Sequence, residues 1–319
     1  MKRNITKLYL ISIVLLFSAC GVSEKINTFS GSTMGTTYTV KTIGDNGISQ
    51  QKIDDRLTQI NQIFSTWDAK SELSAVNQQS VNEWIKVSDE LFYVLKTAKE
   101  IHQQTEGYFD PGIGNLVDVW GFGANKQIQK PSQIEVYKAF INSSIRYLTL
   151  KDGVNKAVKK TRDIYIDLSA IAKGYGVDAI VKLLNTQNYL VEIGGEVRSG
   201  GSNNGKPWMV GVEHPSKATP IAITLNNQAI ATSGNYRHYF IWQGKRYMHI
   251  LNPHTGLPAN SDLASVSIIH PQTMVADAYA TAMMAMGSQR ATALAKQLGL
   301  PVILILNQQA HFKVTKINL

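Results

Sequence analysis

The chain has 319 residues, 44% of them hydrophobic and 17% charged, with 24 Gly, 9 Pro and a single Cys. That composition excludes a collagen, a low-complexity polymer and a disulfide-stapled mini-protein, and leaves room for one large or two ordinary globular domains. A net charge of +9 raises nucleic acid as a partner, but Lys2, Arg3 and Lys7 supply three of the positives and the one tight basic cluster is Lys156, Lys159, Lys160 and Arg162. A nucleic-acid groove is denser and interleaved with aromatics, so the charge is read as solubility and attraction to an anionic ligand.

The first element is a targeting segment. Lys2, Arg3 and Lys7 precede an apolar run over residues 8–17, which ends in Ser18-Ala19-Cys20. The run is shorter than the roughly 20 apolar residues that span a bilayer and has the size of a signal-peptide core. Small residues before the sole cysteine resemble a bacterial lipobox. The reading is a lipoprotein signal peptide over 1–19, Cys20 acylated as the mature N-terminus, a tether over 20–27 and a folded domain over 28–319. An ordinary secretory peptide cut near Ala19 is the alternative. No other segment has the length to cross a membrane, so the domain is expected on the periplasmic side of a bacterial membrane, lipid-anchored through Cys20.

Along the rest of the chain, helical and strand periods intermix. Residues 37–43 alternate as a strand, and Ile48, Ile53, Leu57, Ile60 and Phe64 fall near helical spacing. A short strand over 84–87 is followed by a helix capped by Ser88, with Leu91, Leu95, Ala98 and Ile101 on its apolar face. A Gly-rich loop over 107–125, a helix near 132–141 and a hairpin over 146–160 come next. A strand over 165–168 is expected to run into a helix over 170–186. Strands follow at 189–193, 208–213, 221–225, 239–242 and 246–251, then helices at 274–287 and 289–298, then strands at 301–306 and 311–317. Without a repeat or a Pro- or Ser-rich linker, the pattern predicts an α+β fold, mixed sheets with flanking helices in one unit of two interlocked lobes.

Polar signals gather in loops and at strand-to-helix joints. Gly31-Ser32-Thr33-Met34-Gly35-Thr36-Thr37 is small and hydroxyl-rich, suited to close backbone approach by a ligand or to a flexible N-terminal loop. Asp110-Pro111-Gly112-Ile113-Gly114 and Trp120-Gly121-Phe122-Gly123 could lay a flat ring against backbone or form a packed turn. Neither is a dinucleotide fingerprint, and no GxxxxGK[ST] phosphate loop occurs. Residues Asp167-Leu168-Ser169-Ala170-Ile171-Ala172-Lys173-Gly174 put an acid, a hydroxyl and a lysine where a helix begins, a place that offers N–H groups and a positive dipole end to an anion. Asp277 and Thr281 stand four apart on an Ala/Met-rich helix and share a face. Two buried oxygens there need a partner. A hard cation such as magnesium supplies one; so does the ordinary arrangement of a helix-start Asp and a Thr bonded to a carbonyl. His249 precedes a Pro/Gly turn, Ile250-Leu251-Asn252-Pro253-His254-Thr255-Gly256, where loops often carry chemistry.

In this order Thr33–Thr36, Ser65-Thr66-Trp67 with Ser71-Glu72-Leu73-Ser74, Trp120–Gly123, Asp167–Gly174, Glu192-Ile193-Gly194-Gly195-Glu196, His249–Gly256 and Ala276-Asp277-Ala278-Tyr279-Ala280-Thr281 run along the chain. The series resembles the FAD:protein FMN transferases of the ApbE family, bacterial lipoproteins, from about residue 28 to the C-terminus. The resemblance implies a T-fold-like architecture. It implies a Mg2+-dependent enzyme that cuts the pyrophosphate of FAD, transfers FMN to a Thr or Ser hydroxyl of an acceptor flavoprotein and releases AMP. The implied acceptors are subunits of the Na+-pumping quinone reductase and Rnf types or related flavin carriers. The family's FAD contacts would fall on Met34, Trp67, the turn Trp120, Gly121 and Phe122, Asp167, Lys173 and Ile250. Its metal ligands would be the carbonyl of Ala170 and the side chains of Asp277 and Thr281, and His249 would be the base that takes the acceptor proton. Trp67 stands where some members carry Tyr, which keeps stacking and drops a phenolic hydrogen bond.

Two rivals remain at this level. Ser233-Gly234-Asn235 and His254-Thr255-Gly256 faintly resemble motifs of a penicillin-binding acyl enzyme, but Ser169 and Lys173 are one residue too far apart for its S-x-x-K nucleophile. A non-enzymatic flavin-binding lipoprotein would need the ring and phosphate contacts but has no use for Asp277, Thr281 and His249.

Overall fold

The structure, a computed structural model, describes residues 24–123, 130–235, 239–308 and 311–319. The signal segment, Cys20 and residues 124 and 125 of the Gly-rich stretch lie outside them. The described chain opens with β1 (Ile26–Thr33) and β2 (Thr36–Ile43). They form a hairpin closed by Met34 and Gly35, whose φ angles are +49° and +71°. Positive φ at both central residues gives the turn the twist that a two-residue hairpin needs. The segment 31–37, open between a close-approach site and a flexible loop in the sequence, is strand on both sides of the Met34-Gly35 turn, and Ile26 and Asn27, read as tether, already pair with Ile43 and Thr42.

Helices α1 (Gln50–Phe64) and α2 (Glu72–Gln78), strand β3 (Trp84–Lys86) and helix α3 (Asp89–Gln104) follow. Ser49, Ser71 and Ser88 cap these three helices, each accepting a backbone N–H of the first turn. The Gly-rich stretch holds a short helix α4 (Gly114–Val119), and α5 (Gln133–Ile141) opens on a full capping box between Ser132 and Glu135. β4 (Leu148–Lys151) and β5 (Ala157–Lys160) pair, and β3 joins β5 from its other side. The strand expected over 165–168 is absent as a ladder. Tyr165 makes one isolated parallel bridge to Ile113, Ile166 N–H donates to the Asn77 side chain and Asp167 N–H to the Pro111 carbonyl. A side chain and a loop, not a neighbouring strand, satisfy these backbone groups, so no ladder forms.

Helix α6 (Ser169–Leu183) leads into β6 (Tyr189–Ile193), β7 (Glu196–Gly200), and the ribbon of β8 (Trp208–His214) and β9 (Lys217–Leu225). Then come β10 (Ala229–Gly234), the hairpin β11 (Tyr239–Trp242) and β12 (Lys245–Met248), and the short pair β13 (Leu251–Asn252) and β14 (Leu257–Pro258). β15 (Leu263–His270), α7 (Thr273–Met286), α8 (Ser288–Leu298), β16 (Val302–Gln308) and β17 (His311–Ile317) complete the chain. The main sheet runs β1-β2-β6-β7-β10-β15-β16-β17, and its ladders are antiparallel. Among the described residues no sheet closes into a barrel.

Alternation along the strands covers both faces of that sheet. Ala231, Ile268 and Val302 turn into the large core with α6 and α7, whereas Ile230, Ile269 and Ile303 meet Val212, Ile223 and Leu225 of the β8–β9 ribbon. A third cluster joins Leu116, Trp120, Ala139, Tyr247 and Leu251. Helix α7 is buried on nearly every side, the mark of a central helix. Its own residues supply no side-chain cap; instead Asp178 of α6 accepts from Thr273 N–H at 3.1 Å and Met274 N–H at 3.0 Å, and pairs with Arg198 at 2.6 Å. The α6–α7 crossing depends on Gly174, where an added Cβ would lie 2.6 Å from the Thr273 carbonyl oxygen and 2.7 Å from Met274 Cα. These are backbone atoms, so the helices must part. We expect Gly174→Ala to cost about 2–3 kcal/mol in a denaturant titration, and unchanged stability would contradict the close crossing.

Candidate active site

The α6–α7 crossing carries the polar residues. Gly174 N–H donates to Asp277 Oδ2 at 3.1 Å, so the contact that packs the helices also fixes the carboxylate. Lys173, one residue earlier, sends its ammonium to three oxygens. They are the Ser169 carbonyl at 3.4 Å, Glu196 Oε1 at 3.4 Å and Asp277 Oδ2 at 3.6 Å. Glu196 opens β7 just after the Gly194-Gly195 turn, and the missing Cβ of Gly194 gives room to the Lys173 stem, 3.3 Å from where that Cβ would stand. Both carboxylates are buried, Asp277 at 4% exposure and Glu196 at 3%. Burial pushes the acidity of each toward the protonated form, against the pull of Lys173. Burial acts against the Lys173 charge, but attraction to Asp277 and Glu196 outweighs it and holds the ammonium protonated.

These groups line a cavity of about 500 Å3, within the ordinary range for a small-molecule site. Of the residues singled out in the sequence, Asp167, Ala170, Lys173, His249, Ile250, Asp277 and Thr281 all reach it. Asp167 accepts from Ser169 N–H at 2.8 Å and so orders the first turn of α6. His249 stands between β12 and β13, with the Phe122 ring edge-on to its imidazole at 6.4 Å between centroids. The other aromatics sit elsewhere. Trp120 is 3% exposed, stacks on Tyr247 and donates its indole N–H to the Gly256 carbonyl at 2.8 Å; it is a ring of the third core cluster, and Gly121 beside it turns with φ +76°. Met34 is half-buried at the β1–β2 turn near Gly176, and Trp67 stands 62% exposed in the loop before α2. Glu196, Tyr108, Asp110, Thr232 and Ser233 also line the cavity. Asp110 and Ser233 lie in motifs noted in the sequence for other readings, and Glu196 had a signal, an acid placed directly after a Gly-Gly turn; Tyr108 and Thr232 enter only through the fold.

A lysine between two buried carboxylates, with a histidine in the same cavity, outlines a group-transfer enzyme that handles an anionic substrate. The comparisons make this particular. The ApbE family description matches residues 34–304. An FAD:protein FMN transferase of Haemophilus influenzae is 38% identical over 99% of this chain and 96% of its own, and one of Vibrio cholerae is 39% identical over 95% and 94%. The solved flavin transferase ApbE from Vibrio cholerae superposes with a TM-score of 0.84 at 36% identity, covering 92% of this chain and 97% of the other. The apo flavinyl transferase ApbE of Pseudomonas stutzeri gives 0.84 at 30% identity, over 92% and 95%. The chain belongs to the ApbE family. It is an enzyme, a flavin transferase with FAD as the FMN donor and protein as the acceptor, which sets aside both the acyl enzyme and the passive flavin carrier.

Proposed function

We propose that this flavin transferase is magnesium-dependent, attaches FMN to a Thr or Ser hydroxyl of its acceptor and releases AMP. The observation that carries the reading is the meeting of Ala170, Asp277, Thr281, Lys173 and His249 around one cavity. The donor set fits magnesium in kind: one carboxylate, one hydroxyl and one carbonyl are hard oxygens, and few protein ligands suffice when water and phosphate fill the octahedron. Glu196 Oε2, buried at the same place without a hydrogen-bond partner among the described residues, marks the cavity as short of positive charge. When bound, the ion would draw phosphate oxygens together and offset charge building on the departing AMP.

The rest falls to the chain's own groups. Lys173 supplies a positive charge toward the pyrophosphate. His249 takes the proton of the acceptor hydroxyl, which is a weak nucleophile while protonated. The new bond joins that oxygen to the FMN phosphorus, and the bond broken joins this phosphorus to the bridging oxygen, which leaves with AMP. Met34, Trp67, the turn Trp120, Gly121 and Phe122, Asp167 and Ile250 are the proposed FAD contacts. The family resemblance supports acceptors of the Na+-pumping quinone reductase or Rnf type, and the lipobox-like Ser18-Ala19-Cys20 supports a lipid anchor on the periplasmic side. The test is co-expression with such an acceptor and mass spectrometry of its peptides. An FMN adduct on Thr or Ser, lost when EDTA is present in the purified reaction, is expected; an unmodified acceptor or an EDTA-insensitive reaction overturns the reading.

A further inference from the structure

The Lys173 ammonium lies 3.4 Å from the Ser169 carbonyl, 3.4 Å from Glu196 Oε1 and 3.6 Å from Asp277 Oδ2. All three separations exceed the usual 2.7–2.9 Å of a charge-assisted hydrogen bond. The ammonium is shared among seats and committed to none. Glu196 offers it more than it takes, because Oε2 is buried and has no partner among the described residues. Asp277, by contrast, is the only carboxylate among the three proposed metal ligands, and Lys173 already pairs with it. A divalent ion and an ammonium on one buried carboxylate repel each other strongly at such separations.

We propose that Lys173 is a resident counter-cation for Asp277 in the metal-free protein, and that Glu196 is a positioning residue whose vacant oxygen receives the ammonium when a divalent ion takes Asp277. This rests on the metal reading above. Around the cavity the carboxyl groups of Asp110, Asp167, Glu196, Glu213 and Asp277 outnumber the one ammonium of Lys173, and this acid-rich lining attracts the ion. The retreat of Lys173 to Glu196 keeps the ammonium in the cavity, at hand for a phosphate of the substrate. The Lys173 stem runs past Gly194, which has no Cβ to hold it in place, and the next residue, Gly195, borders open space. A glutamine at position 196 would keep the shape and remove the charged seat.

The test uses Mn2+ alone as the probe, titrated into the purified protein without FAD and read by electron paramagnetic resonance. Glu196→Gln is expected to weaken Mn2+ binding about tenfold. Lys173→Met is expected to strengthen it at least fivefold, because the competitor is gone. The decisive comparison is the double variant. If Glu196 acts by receiving Lys173, Glu196→Gln costs less than about twofold once Lys173 is Met, a non-additivity that contacting residues show. An equal loss in both backgrounds would mean that Glu196 acts by charge alone, and would overturn the proposal, as would Lys173→Met binding no more tightly than wild type. Wild-type protein that binds no Mn2+ would instead refute the metal reading itself. A crystal structure of the wild-type protein with Mn2+ gives a check that needs no variant. Lys173 should be found within hydrogen-bond distance of Glu196 and out of contact with Asp277; an ammonium still paired to Asp277 beside the metal contradicts the account.

Discussion

Replacement of Asp277 by Ala should lower the rate of AMP release from FAD by about a thousandfold or more, equivalent to roughly 4 kcal/mol of lost transition-state stabilisation. Asp277 is the one charged member of the set Ala170, Asp277 and Thr281, and its loss leaves two neutral oxygens that hold a divalent ion poorly. The same change strips Lys173 of one counter-charge and Gly174 N–H of its acceptor, so part of the effect is structural. Asp277→Asn separates the two. It keeps an acceptor oxygen and the volume, and should preserve the melting temperature to within a few degrees while still losing most AMP release, followed by chromatography. Turnover near wild type in both variants would remove this carboxylate from the chemistry.

The second large effect is expected at His249. His249→Ala should slow FMN transfer to the acceptor by about a hundredfold to ten-thousandfold, the usual range for loss of a general base. Its affinity for FAD, measured by flavin fluorescence, should change little, because the positive charge proposed to face the phosphates resides in Lys173. The Phe122 ring leans edge-on against the imidazole, so Phe122→Ala should lower transfer more mildly by loosening the histidine. A His249→Ala protein that flavinylates its acceptor at the wild-type rate would assign proton removal to another group.

Where the sequence speaks clearly, a local physical rule is enough. Ser88 followed by apolar residues at helical spacing became the cap and buried face of α3, with Leu91, Leu95, Ala98 and Ile101 in the core. The Asp277/Thr281 spacing likewise placed both oxygens on one side of α7, facing the cavity. What escaped depends on partners distant in the chain. β15 is buried along seven of its eight residues, yet Ser265 and Ser267 interrupt its apolar run and hide it as a strand; the fold accepts Ser267 because it bonds Thr232 of β10 at 2.7 Å, whereas the buried Ser265 hydroxyl has no hydrogen-bond partner among the described residues. Strand β1 is similarly masked by small polar residues and becomes visible through its pairing with β2. Trp120 shows the opposite limit. An aromatic between glycines suits a flat ligand or a packed turn, and nothing local reveals that its indole stacks on Tyr247 and donates to the Gly256 carbonyl, more than a hundred residues away. The placement of Asp277 was legible; the cation already beside it was not, since Lys173 and Glu196 meet it only through the α6–α7 crossing and the β6–β7 turn.

The most direct measurement of the central claim is crystallography of the protein with FAD and Mn2+, locating the metal by its anomalous signal. The account predicts a peak about 2.0–2.3 Å from an Asp277 carboxylate oxygen, the Thr281 hydroxyl and the Ala170 carbonyl, with the pyrophosphate of FAD on its open side. A metal bound away from these residues, or FAD seated with its pyrophosphate outside the cavity, would contradict it.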